Sequence, residues 1–88
     1  MTEDDAKMMI SIALRASRIL ERGVRDLRDR QSDVESKAYR LAIGTVLTTI
    51  GEELIEPVFA RFPDMEPEAT EEGWRKFRTD LARSYPED

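Results

Sequence analysis

Apolar residues recur every three or four positions through the first third of the chain: Met9, Ile12, Ala16, Ile19, Leu20, Val24 and Leu27. That spacing marks one face of an amphipathic helix. Ile10 and Leu14 widen the face near its start. Thr2 is placed to cap it, and Glu3, Asp4 and Asp5 put negative charge at the positive end of the helix dipole. Arg25, Arg28 and Arg30 sit at the opposite, favourable end. The first helix is therefore predicted from about Glu3 to Asp29. Gly23 interrupts it at a cost of about 1 kcal/mol relative to Ala, and its position predicts close approach of another backbone.

Ser32-Asp33-Val34-Glu35 is a capping box, so a second helix is expected to begin at Asp33 after a short polar break. A connection this short predicts antiparallel neighbours. The second helix is expected to reach about Phe62 and stop before Pro63, because the residue before a proline avoids helical geometry. Pro57 lies inside it and predicts a kink near Glu53 to Pro57, where the Glu53 carbonyl loses its donor. Two apolar stripes run along this helix. One holds Tyr39, Ile43, Val46, Leu47, Ile50, Leu54 and Val58. The other holds Leu41, Gly44, Thr48, Gly51, Ile55, Phe59 and Phe62. A helix apolar so far round is expected to be buried on more than one side.

Pro67 suits the first position of a third helix. Trp74, Phe77, Leu81 and Tyr85 give that helix one narrow apolar stripe, and Pro86 ends it near residue 85, leaving Glu87 and Asp88 to fray. The fold class expected is all-α: one domain over residues 1–88, an antiparallel hairpin of two long helices (3–29 and 33–62) plus a shorter third (67–85). The core is expected to hold Ile12, Ile19, Val46, Ile50, Leu54, Trp74, Phe77 and Leu81.

Composition sharpens this picture. With 88 residues the core is thin, and association between chains is one usual supplement. Charged residues make up 38% of the chain, well above the globular norm. The net charge of −5 is unevenly spread: residues 1–6 carry −3, residues 7–30 carry +4 and residues 31–88 carry −6. The longest charge-free stretch, Leu41 to Gly51, is about half what a membrane-spanning helix needs. The acidic start lacks the basic region of a secretory leader. Together with the absence of Cys, this predicts a cytoplasmic protein without membrane contact.

No residue set points to catalysis. The chain has no His and no Cys, so the commonest general base, the commonest zinc ligand and thiolate chemistry are missing, and Ser11, Ser17, Ser32, Ser36 and Ser84 have no His to activate them. Glu52 and Glu56 share a helix face but read as a solvated acidic patch. The glycines are isolated and form no phosphate loop. No catalytic, cofactor or metal residue is assigned, and no enzyme activity is expected. Arg15, Arg18, Arg22 and Arg25 form a stripe on the first helix, a candidate polar surface for a partner. A nucleic-acid accessory role through these arginines is the alternative function; the acidic remainder of the chain and the lack of interleaved aromatics argue against it. The stripe Leu41, Gly44, Thr48, Gly51, Ile55 and Phe59 is the candidate dimer interface, since two glycines a heptad apart let another helix come close. The leading expectation is a small interaction protein: a homodimer, or a helical surface offered to another protein.

Overall fold

The computed structural model of the chain describes residues 1–30 and 32–86. Its elements are α1 (Glu3–Arg30), α2 (Asp33–Ile50), a π-helical turn (Gly51–Ile55), α3 (Glu56–Arg61), a 3-10 turn (Pro63–Met65) and α4 (Glu71–Ser84). The fold is all-α. α2, the π turn and α3 form one continuous rod, so the molecule consists of two long rods and a shorter third, 44 × 25 × 24 Å across.

Each start has a local chemical cause. At α1, the Asp5 amide donates to the Thr2 hydroxyl (3.1 Å) and the Thr2 amide donates back to the Asp5 carboxylate (3.3 Å), a reciprocal box that satisfies two otherwise orphaned donors. At α2, the Glu35 amide donates to the Ser32 hydroxyl (3.3 Å). The third rod starts later than Pro67 suggested. Residue 66 is extended, the Thr70 amide donates to the Glu68 carbonyl (2.7 Å), and the Thr70 hydroxyl accepts from Gly73 (2.9 Å). Thr70 can accept that bond and proline cannot, so the cap rather than the proline sets the boundary at Glu71. The expected fraying of Glu87 and Asp88 lies outside the described residues.

α1 packs on α2, on the π turn and on α4. Met9, near the start of α1, lines a cavity with Glu53, Leu54 and Pro57, beyond the end of α2. The second rod therefore runs back along the first. α4 crosses the N-terminal half of α1, held at its far end by Tyr85, whose carbonyl accepts from the Arg15 guanidinium and whose hydroxyl donates to the Asp4 carbonyl (3.2 Å).

Pro57 produces a π turn rather than a simple kink. The Glu56 amide reaches back five residues to the Gly51 carbonyl. Widening the ring accommodates a residue that cannot donate, and it rotates everything beyond by about 100°, one residue's worth of helix. Phe59 thereby turns into the core beside Val58; the two are 8% and 5% exposed. They meet Ala6 and Ile10 of α1 and Leu81 of α4. Phe59 takes Trp74 and Phe77 edge-on at 6.2 and 6.0 Å between ring centres, a favoured aromatic geometry.

This core is smaller and further towards one end than the periodicity indicated. Leu81 is buried, and Ile50, Leu54, Trp74 and Phe77 are half-buried. Ile12, Ile19 and Val46 are exposed, at 52%, 68% and 47%. The buried positions of α1 are Ala6, Ile10, Ser11 and Ala13 instead. The reason is coverage: α4 spans 14 residues and lies over only the first half of α1, on one side.

Candidate interaction surface

Three flanks of α1 can be told apart. Ala16, Leu20, Gly23, Val24 and Leu27 are half-buried against the second rod. Leu14, Arg15 and Arg18 face α4 across a groove of about 410 Å³ that Arg78, Leu81 and Tyr85 also line. Met8, Ile12 and Ile19 form the third flank and are exposed. On α2, the half-buried Ile43, Leu47 and Ile50 define the side towards α1. Tyr39 and Val46 lie to one side of that seam; Leu41 and Thr48 lie to the other. For two right-handed helices running in opposite directions, this order places Ile12 and Ile19 on the same side of the pair as Tyr39 and Val46. Arg15, which bonds the Tyr85 carbonyl at the end of α4, marks the edge of that side.

The α2 part of this open face is apolar: between Tyr39 and Ile50 the helical register brings no charged residue onto it, whereas on α1 Arg15 and Arg22 follow the register of Met8, Ile12 and Ile19 and edge it. Asp5, Arg30 and Glu53 stand at its ends. Met8, Ile12, Ile19, Tyr39 and Val46 are each about half exposed or more. Periodicity had assigned Ile12, Ile19 and Val46 to the core. The signal for burial was in the sequence; what it lacked was any sign that the third helix is too short to do the covering.

The candidate dimer stripe on the second rod does not survive as one surface. Leu41, Gly44, Thr48 and Gly51 remain on the α4 side of α2, but Phe59 is buried inside its own chain and Ile55 and Phe62 pack against the core. The spacing of 3 and 4 assumed an uninterrupted 3.6-residue helix, and the π turn breaks that phase after Gly51. What is left is also more polar than the stripe implied. Thr45, Thr48 and Thr49 turn their hydroxyls onto the carbonyls four residues back, at 2.9 to 3.1 Å.

The arginine stripe also divides. Arg22 and Arg25 are exposed. Arg15 is half-buried and holds the Tyr85 carbonyl, and Arg18 lines the groove beside it. Tyr85 is the anchoring residue that sequence reasoning missed, since its apolar spacing suggested packing but not two hydrogen bonds to α1. Among the described residues, no three acidic side chains converge to hold a metal ion, and no helix is long and apolar enough to cross a membrane.

No protein family matches this chain, and no curated protein or solved structure matches it either.

Proposed function

We propose that the chain is a small interaction protein whose open face, centred on Ile12, Ile19, Tyr39 and Val46, docks another helical surface. One observation carries this reading: an apolar side spanning both long helices is left uncovered while the chain's short third helix packs elsewhere. The largest contiguous apolar patch on a monomeric protein is often its binding site. Partner and cargo are unspecified by the face itself; its chemistry asks for a complementary apolar ridge. The nucleic-acid alternative draws less support, because one of its four arginines, Arg15, is engaged by the Tyr85 carbonyl at the end of α4.

A photo-crosslinking amino acid at Ile19, with a control at the exposed Lys76 of α4, tests this in cells that natively make the chain. The expected result is a discrete adduct from position 19, with any protein including the chain itself, that Ile12→Glu abolishes without loss of helix content. Equal labelling at both positions, or none at position 19, overturns the reading.

A further inference from the structure

Two arginines of the sequence stripe come together with a third from the far end of the chain. Arg15 and Arg18 line the groove of about 410 Å³ between α1 and α4, and Arg78 stands on its α4 wall. Glu21 is the one acidic side chain bordering it among the described residues, so the groove carries a local charge of +2 in a chain of −5. Both walls are helical stripes. Residues 11, 14, 15 and 18 of α1 and residues 78, 81, 82 and 85 of α4 follow the same spacing, which keeps each set on one face. Space stays open between them because Ser11, Ser17 and Ala82 are short where packed helices would interlock. The apolar lining comes from Leu81, which is buried, from the half-buried Leu14 and from Ala82. Ser17 turns its hydroxyl onto the Ala13 carbonyl (2.8 Å), whereas Ser11, 5% exposed, makes no such bond among the described residues.

We infer that this groove binds a small amphiphilic anion, a carboxylate with an unbranched apolar tail. Guanidinium forks match a carboxylate with paired N–H donors. Arg15 is oriented in advance, because one donor already holds the Tyr85 carbonyl while the rest of its fork can serve a ligand. Arg78 reaches the groove from the opposite wall, so the head group is clasped by both helices. The tail lies along Leu14, Leu81 and Ala82. Seven residues of helix span roughly 10 Å, the length of a chain of about eight carbons. The cavity volume falls in the ordinary range of small-molecule sites. Charge decides among ligands of this shape: the three arginines repel an alkylammonium, and a neutral alcohol gains nothing from them. By touching α1 and α4 together, the ligand adds to the fastening that Tyr85 provides. This site is separate from the open face and does not depend on its role.

Octanoate is the probe. It is expected to raise the melting temperature saturably, with a dissociation constant in the millimolar range, where octanol, octylammonium and acetate at equal concentrations do not. In isotope-labelled wild-type protein the amide signals of Ser11 and Ala82 should shift with octanoate, and that of Val46 on the open face should stay. Arg78→Gln is expected to weaken binding about five-fold or more without change in helix content. Arg78→Lys keeps the charge without the fork and should fall between the two. Arg75→Gln removes an exposed arginine of the same helix that pairs with Glu71 (3.5 Å) outside the groove, and should leave binding intact. The inference is overturned if octanol or acetate acts as octanoate does, if the signals move at Val46 rather than at Ser11 and Ala82, or if Arg75→Gln loses as much as Arg78→Gln. Should Arg78→Gln lose helix content, the spectra of the labelled wild-type chain decide.

Discussion

The two sides of the α1–α2 pair are built from the same kinds of residue and have different fates. On the side that α4 crosses, Ile10 and Leu81 are buried, Phe59 meets two aromatic rings edge-on, and Arg15 and Tyr85 fasten the third helix in place. On the open side, Ile12, Ile19 and Val46 have comparable hydrophobicity and equally regular spacing, yet stand in water. The difference does not lie in the residues. It lies in a third helix of 14 residues that covers one side of a 28-residue partner and cannot reach the other. Burial of a periodic stripe is thus a statement about what the chain can cover, and a stripe left over is where a partner gains most.

The sharpest way to break the comparison is to truncate one large residue on each side. Phe59→Ala removes the hub of the aromatic cluster and should cost about 3–5 kcal/mol. Ile12→Ala, measured at concentrations where the chain is monomeric, should cost less than about 1 kcal/mol because its side chain is half in water already. Urea midpoints for the two variants decide it, and equal losses would mean that the open face is covered within the monomer.

A second contrast uses glycines. A Cβ at Gly73 would sit 2.7 Å from the Glu68 carbonyl oxygen and 3.0 Å from the Thr70 hydroxyl. Gly73→Ala must therefore displace the connector or the cap, and a loss of about 1–3 kcal/mol is expected. Gly44→Ala meets open space and should stabilise the chain by about 0.5–1 kcal/mol through helix propensity alone. Thermal melts that shifted both variants in the same direction would contradict this packing.

The smallest effect concerns the arginines. Arg15→Gln loses the bond to the Tyr85 carbonyl at a half-buried site and should cost about 1 kcal/mol, with a change in near-ultraviolet tyrosine dichroism as the end of α4 loosens. Arg25→Gln, on the same stripe but exposed, should move the midpoint by less than about 0.5 kcal/mol. If the two variants behaved alike, Arg15 would have no anchoring role.

Much of the architecture was legible from the residues. The start of α2 follows from Ser32 and Glu35, and the limits of α1 follow from Thr2, the acidic first turn and the arginine-rich last turn. These signals act through neighbours within four residues, so no tertiary information is needed to read them. Where two local signals competed, the chain used the one with a hydrogen bond to offer: Thr70 caps α4 and Pro67 stays in the connector. The candidate dimer stripe misread Ile55, Phe59 and Phe62 because counting by threes and fours presumes an even helix, and one π turn at Pro57 shifts every later side chain.

The sequence by itself determined that the chain is helical, where two of its three rods begin, and that both long helices carry more apolar surface than a single seam can use. Tertiary structure alone decided which of that surface is inside. The direction of α4 depends on the phase set by the π turn, on Phe59 meeting Trp74 and Phe77, and on a tyrosine carbonyl reaching an arginine 70 positions away. Those contacts join parts of the chain that share no local pattern, and their geometry exists only once the rods are packed. The apolar face centred on Ile12, Ile19, Tyr39 and Val46 is what remains when that packing is complete.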